Sequence, residues 1–512
     1  MIAEDQRLAE PRRVQARSDD IRAIIMSPTR ELAEQIGEEA RKLCQRTGII
    51  VQTAVGGTQK NAMLMRTRRE GCHILVATPG RLNDLLSDEY SGIDAPRLST
   101  LVLDEADRML DVGFDKELQE ILRLLPNRSQ VPRQTLLFSA TIPRDVVSLA
   151  RSYVDPSNFE FVQTIRDDEV QTHEKVPQHI VPVRGVENMF PTLLELLERE
   201  AQSTDMPLKA IVFLRTTAMV QLINEVFRDL RHASRRAGTP ATFPPVLSIH
   251  SKLTQAARTR AAEDFRKSES AILFSSDVTA RGMDFPNVSH VIQLGVPPDR
   301  EQYIHRLGRT GRAGKPGQGW LIVTEDDIPA ARRTLPGLPI QRAQGLDAAG
   351  RDLGSDAATQ PSAVSRVSEA MKQAPRDLLE QAYYASFSGG PGRDLHRLAA
   401  SLADWTKLGW GWDEPPAFNT SDARKRGLTG LRGIRVDDSY RREFSPSNEG
   451  RSFGRDGGRG GGFRGGGFGG GGFGGGRGSG RGGFGGRGKS SFENEFRGGR
   501  SGERRSSPSS SF

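Results

Sequence analysis

Leu101-Val102-Leu103-Asp104-Glu105-Ala106-Asp107 is the stretch on which the fold turns. Three branched apolar residues in a row predict a strand buried on both faces, as in a parallel sheet. Two adjacent carboxylates follow where that strand ends. In open α/β sheets ligands gather outside the carboxyl ends of strands. An aspartate there can hold Mg2+ on a nucleotide's phosphates, directly or through water, and the next acid can take a proton from an attacking water. The bland alternative is a strand running into an acidic helix cap, because Asp is a favoured N-cap. The neighbouring sequence decides between them.

Upstream, residues 1–10 read as the end of a helix, and residues 21–26 form an apolar strand. Ser27-Pro28-Thr29-Arg30-Glu31-Leu32-Ala33 follows, with Thr29 as a cap and Arg30 near the positive end of a helix. Leu32, Ile36 and Leu43 give that helix an apolar face. A strand over 49–55 leads to Gly56-Gly57, which lets a backbone approach a phosphate. Strand 74–77 ends on Thr78-Pro79-Gly80-Arg81 and a helix. Beyond the opening stretch come a helix to about residue 125 and a strand over 134–138 that closes on Ser139-Ala140-Thr141. Strand and helix alternate, with a polar or Gly-rich signature at each strand end. The pattern is that of a doubly wound parallel sheet.

Residues 163–178 are polar and Pro-ended and read as a linker. A second alternation begins with strands at 180–183 and 210–213. A helix over 217–230 places Val220, Ile223 and Phe227 on one face, and a basic loop spans 231–245. Strands 246–250 and 270–275 flank a helix over 255–265. Asp277-Val278-Thr279-Ala280-Arg281-Gly282-Met283-Asp284, a strand over 290–294 and His305-Arg306-Leu307-Gly308-Arg309-Thr310-Gly311-Arg312 complete the series. The arginines at 306, 309 and 312 could form a solvated basic face. Glycines interrupt the run, however, and planar bidentate donors placed after a sheet suit phosphate oxygens across a cleft.

Taken together, PTRELA, GG, TPGR, DEAD and SAT, then IVFLRT, Gln255 with Arg258, ARGMD and HRLGRTGR resemble the DEAD-box RNA helicases of superfamily 2. The motifs cover residues 28–312. The resemblance implies two RecA-like parallel-sheet domains in tandem that close over ATP and RNA and pry apart short duplexes. It makes Asp104 the Mg2+ ligand through water and Glu105 the residue that orients and deprotonates the attacking water. Ser139 and Thr141 would couple nucleotide state to RNA grip and help form the nucleotide site. Arg309 and Arg312 would be arginine fingers, His305 would link the domains, and Asp284 would touch the ribose. Arg30, Gly57, Thr78 and Arg81, with Thr279 and Arg281, would hold the RNA backbone without reading sequence. HSKLTQAARTR and DVTARGMDFPNV look nearest to fungal mitochondrial RNA-chaperone members, which implies a mitochondrial location over a nuclear or cytoplasmic one.

The chain departs from that pattern in one respect. No G-x-x-x-x-G-K-[ST] loop occurs in residues 1–450, and the upstream aromatic-plus-Gln adenine motif is missing too. That loop supplies the N–H cradle and the lysine for the β- and γ-phosphates. The expectation is that Met1 is an internal methionine of a longer product and that the first domain is N-terminally incomplete. A strand missing beside the DEAD strand is then expected to leave unpaired edges and exposed apolar surface. A different class of function fits the same fact: a non-hydrolysing RNA-binding scaffold or annealing protein with a degenerate core.

The expected domains are 1–162 and 179–330, followed by a mostly helical extension over 331–449 and a tail over 450–512. Trp405, Trp410 and Trp412 in the extension read as core rather than as stacking platforms for bases. The tail is built of Arg-Gly-Gly and Gly-Phe repeats, with Phe463, Phe468, Phe473 and Phe484 interspersed. It is expected to be disordered and to tether RNA through arginine and phenylalanine. Formal net charge is +8, and residues 451–512 hold twelve Lys/Arg against four Asp/Glu, so the tail carries the whole excess. No apolar run reaches membrane-spanning length, and no membrane partner is expected. Cys44 and Cys72 match no metal spacing.

Overall fold

The computed structural model describes residues 17–111, 113–139, 144–155, 157–162, 175–203, 206–279, 283–355, 360–388 and 394–439. The helix expected over 1–10, Thr141, Arg281, most of the linker and the tail lie outside the described residues.

The opening stretch forms β4 (Thr100–Leu103), with β1 (Ala23–Met26) on one side and β5 (Gln134–Leu137) on the other. With β2 (Val51–Ala54) and β3 (Ile74–Ala77) they make a five-stranded, all-parallel sheet in the order β2-β3-β1-β4-β5. Parallel neighbours need crossovers, and helices supply them: α1 (Arg30–Cys44), α2 (Lys60–Glu70), α3 (Pro79–Leu86), α4 (Ala106–Asp111), α5 (Asp115–Leu124) and, after β5, α6 (Arg144–Tyr153). The single helix expected after the DEAD stretch is two, because Gly113 at φ 82° turns the chain between α4 and α5.

Three expectations are corrected here. Ile24, Leu75 and Leu101 are fully buried on one face of the sheet, but Val102 on the other face is only half-buried. That second face packs against α1 around Ala33, Val51, Val55 and Val76, away from Val102. Both edges of β4 are hydrogen-bonded, so there is no gap beside the DEAD strand. Among the described residues the sheet ends at β2 on one side and at β5 on the other, and Phe138, just after β5, is 54% exposed. Leu43 is 83% exposed, since burial along α1 fades after Gly37 and its last turn faces solvent.

The second sheet has seven parallel strands in the order β12-β6-β11-β10-β7-β9-β8. They are β6 (Gln178–Val183), β7 (Lys209–Leu214), β8 (Val246–Ile249), β9 (Ala271–Ser275), β10 (His290–Leu294), β11 (Gln318–Thr324) and β12 (Ile340–Arg342). Every residue of β7, β9 and β10 is buried, as central parallel strands require. Helices α7 (Met189–Gln202), α8 (Thr217–Arg236), α9 (Gln255–Lys267), α10 (Arg300–Leu307) and α11 (Ile328–Thr334) flank it. Helix α8 runs into the expected basic loop. Strand β12 extends the sheet past residue 330, into the stretch read as extension.

The extension is helical: α12 (Ser362–Gln373), α13 (Arg376–Ser386), α14 (Leu395–Asp404), a π-turn over Trp405–Gly409, and α15 (Thr420–Lys425). Pro375 separates α12 from α13, as a proline lacking an N–H and clashing with the preceding turn should. Trp405 and Trp410 are 3% and 1% exposed and belong to the same apolar cluster as Phe190, Leu193 and Phe227 of the second domain. Trp410 meets Trp405 edge-on at 4.8 Å and Tyr383 at 6.4 Å. Trp412 is half-buried under Arg376, whose guanidinium lies 5.0 Å from the ring centroid. Replacing Trp410 by Ala is expected to cost about 3–5 kcal/mol, read as a lowered midpoint in urea unfolding.

Candidate functional site

The acidic signature sits where β4 ends. Asp104 N–H donates to the Met26 carbonyl at 3.0 Å, and Ala106 N–H donates to the Phe138 carbonyl at 3.0 Å, so the turn is tied to strands on both sides. Asp104 Oδ1 accepts the Glu105 N–H at 3.0 Å. Burial, helped by the like charge of Asp107, pushes the Asp104 carboxyl above its usual range, although the Glu105 N–H works against it. Glu105 has φ 51°, a conformation that side chains other than Gly adopt at a cost of roughly 1–2 kcal/mol. Strain of this kind clusters at functional sites. Ser139, half-buried, follows Phe138 and so lies next to this turn.

From the second domain, His305 on α10 brings Nε2 to 3.9 Å from Asp107 Oδ2. Arg309 Nη1 donates to the Met283 carbonyl at 2.6 Å. Arg312 Nη1 donates to Asp284 Oδ1 at 2.7 Å, and its Nε to the Gly308 carbonyl at 2.8 Å. Both candidate fingers and the candidate ribose contact therefore share one corner. Arg306 does not join them. It is 1% exposed and turned inward, with Nε 2.8 Å from Asp277 Oδ1, Nη1 3.1 Å from Gln293 Oε1, and its guanidinium over Phe213. This corrects the reading of three equivalent guanidiniums facing phosphate. Arg306 lies in the last turn of α10, whereas Arg309 and Arg312 come after the helix has ended at Gly308, and spacing alone did not reveal the difference.

The other candidate set lies at neighbouring strand ends of the first sheet. Thr78 stands at the N-cap position of α3 without a side-chain capping bond, Pro79 takes the first helical position, and the Thr78 N–H donates to the Ala54 carbonyl at 3.2 Å. Arg81 Nη2 donates to the Thr58 carbonyl at 3.2 Å. Arg30 lies against Gly56 and Gly57, where a Cβ on Gly57 would stand 2.3 Å from Arg30 Nη1. Gly57 also has φ 76°, so its lack of a side chain serves both the turn and the arginine. Arg30, Gly57, Thr78 and Arg81 thus form one patch. Thr279, fully buried after β9, belongs to the second domain. Gly57→Ala is expected to displace Arg30 and weaken binding to single-stranded RNA several-fold in a salt titration. Unchanged binding would mean that Arg30 holds no phosphate.

A polar seam between the domains was not read from sequence. Glu31 and Glu34 on α1 meet Gln255, Arg258 and Thr259 on α9, and Gln35 Oε1 accepts the Asp284 N–H at 3.2 Å. Only the motif containing Gln255 and Arg258 signalled it, and without a partner.

Among the described residues, no group of three or more His, Cys, Asp or Glu could hold a metal ion, and no helix is long and apolar enough to cross a membrane. A divalent cation bridged to phosphate is nevertheless compatible with Asp104, since one partly buried carboxylate beside a second one would be relieved by positive charge.

The family model for the DEAD/DEAH box helicase matches residues 6–149, and that for the helicase conserved C-terminal domain matches 189–314. The chain is 57% identical over 448 residues to "ATP-dependent RNA helicase cyt-19, mitochondrial" of Neurospora crassa, covering 86% of this chain and 70% of that protein. It is 47% identical to "ATP-dependent RNA helicase mss116, mitochondrial" of Aspergillus fumigatus, covering 83% of this chain and 66% of that one. Among solved structures, "DEAD-box helicase Mss116 bound to ssRNA and UDP-BeF" superposes with a TM-score of 0.66 at 27% identity, covering 82% of each chain. Mss116p bound to ssRNA and AMP-PNP gives 0.63 at the same identity and coverage.

Proposed function

The chain belongs to the DEAD-box ATP-dependent RNA helicase family, and from that premise we propose that it is an RNA-stimulated ATPase that locally separates short RNA duplexes. The observation that carries this reading is the meeting of two half-sites. Asp104 and Glu105 at the end of β4 are linked through Asp107 to His305 of the other domain, and Arg309 and Arg312 follow directly on that helix. ATP with Mg2+ would supply the phosphoanhydride to be cleaved and the positive charge at its phosphates.

Asp104 would hold the cation through water. Glu105 would orient the attacking water and take its proton. Arg309 and Arg312 would leave Met283 and Asp284 for the γ-phosphate, so that these protein contacts hold them ready. Asp284, once freed, would accept from the ribose. Arg30, Gly57, Thr78, Arg81, Thr279 and Arg281 would grip one RNA strand by its backbone, and Ser139 and Thr141 would report nucleotide state to that grip. Two of the similar proteins are named mitochondrial, which supports a mitochondrial location for this one. The twelve-cation tail would tether RNA non-specifically.

One observation favours a second reading, an RNA-binding scaffold that does not turn over: residues 1–450 contain no G-x-x-x-x-G-K-[ST] loop, and the one text match, at 483–490, lies in the Gly-rich tail rather than after a strand. Phosphate release from ATP, measured with and without single-stranded RNA, separates the two. RNA-dependent release supports the ATPase; RNA binding with no release at any ATP concentration supports the scaffold.

A further inference from the structure

The contacts between α1 and α9 span more than two hundred residues of sequence and join the two sheets. Arg258, 8% exposed, places Nη2 2.8 Å from Glu31 Oε1. Gln255 Nε2 donates to Glu31 Oε1 at 3.2 Å and to Glu34 Oε2 at 3.3 Å. Thr259 Oγ1 donates to the same Glu34 oxygen at 3.3 Å. Next to Glu34, and one turn along α1 from Glu31, Gln35 takes the backbone N–H of Asp284, which is itself paired to Arg312. At the other end, Arg30 of the RNA patch is the residue next to Glu31. The seam therefore runs from the RNA side to the nucleotide side.

We propose that Glu34 is a positioning residue for domain closure, holding Gln255 and Thr259 so that α9 docks on α1 with Arg258 against Glu31. This rests on the reading of the chain as a helicase that works by closing its domains.

Two carboxylates share this seam with one buried guanidinium. Glu31 needs Arg258, and losing either would leave a buried charge unpaired. Glu34 is different: it is half-buried, meets no guanidinium directly, and its two partners are neutral donors. Its loss would remove the two hydrogen bonds without stranding an ion. Among the described residues, Glu31 Oε2, Gln255 Oε1 and Arg258 Nε are buried without a hydrogen-bond partner. The seam is thus incompletely satisfied, and each bond that Glu34 accepts weighs more in the balance between open and closed.

The seam also has a pH signature. Burial, and then the like charge of Glu31, push the Glu34 carboxyl above its usual range, against the hydrogen bonds of Gln255 and Thr259 and the attraction of Arg258. Glu31 and Arg258 are the charged groups that face it. A carboxyl whose affinity for a proton is higher in the docked state favours docking as pH falls. Closure should weaken as pH rises through that raised value.

The test is double electron–electron resonance on the full chain. Labels go on Lys116→Cys and Glu269→Cys, both exposed, with Cys44→Ser; Cys72 is fully buried and stays unlabelled. Single-stranded RNA and a non-hydrolysable ATP analogue drive closure. Glu34→Ala and Thr259→Val should each lower the ratio of closed to open molecules about 5- to 10-fold, the effect of one or two net hydrogen bonds. The double variant should lose little more than either alone. Glu34→Gln keeps an acceptor oxygen, so it should restore closure and abolish its pH dependence. Equal closure in wild type and Glu34→Ala, with both binding RNA, would overturn the inference. A wild type that binds RNA but never closes would overturn the helicase reading instead.

Discussion

Glu105→Gln is expected to lower RNA-stimulated ATP hydrolysis by about two to four orders of magnitude, the usual contribution of a positioned base. Gln keeps the size of the side chain and tolerates the left-handed φ of 51° no worse than Glu does, so the turn should stay tied to Met26 and Phe138. Only the proton acceptor is lost. Binding of RNA and of a non-hydrolysable analogue should be unchanged, because neither uses the carboxylate. Multiple-turnover phosphate release against titrated RNA separates the two quantities. A drop in kcat with RNA affinity intact is the expected pattern. Loss of both would mean that Glu105 holds the turn rather than a water.

Arg312→Ala should be at least as costly, about three to five orders of magnitude in hydrolysis if the residue acts as an arginine finger. The side chain is half-buried and already fixed by Asp284 and Gly308, so little ordering remains to be done when charge develops. Arg312→Lys should recover little, since a lysine cannot present the planar fork that spans two oxygens. Arg306→Ala gives a useful contrast. That arginine sits under Phe213 against Asp277, and its removal should lower stability, with hydrolysis falling only as the fold does. Thermal unfolding beside steady-state rates distinguishes a missing finger from a loosened domain.

The central strands and their ends were legible in the sequence because parallel strands buried by helices read as unbroken apolar runs, and polar signatures must fall where they stop. Leu101 and Leu103 follow that rule, and so do all of β7, β9 and β10. Val102 does not, because the helix over its face covers β2 and β3 instead. The burial of Trp405 and Trp410 was legible as well, since large apolar rings in a short helical segment need a core to enter. Which of the three arginines in HRLGRTGR turns inward was not legible from spacing, and only the family resemblance set Arg309 and Arg312 apart from Arg306. The text alternates Arg and Gly, whereas orientation is set by where α10 ends, at Gly308. The seam between α1 and α9 was invisible for a different reason. Glu34 and Thr259 sit on polar helix faces that alone predict solvent, and only the docking of two domains makes them partners.

The most direct measurement is ATP-dependent separation of a short RNA duplex by the full chain, followed by release of a labelled strand. Strand release should need ATP, be independent of RNA sequence, and be lost in Arg312→Ala. Tight, salt-sensitive RNA binding with no strand release at saturating ATP would contradict the helicase reading and leave the chain a scaffold that grips RNA without moving it.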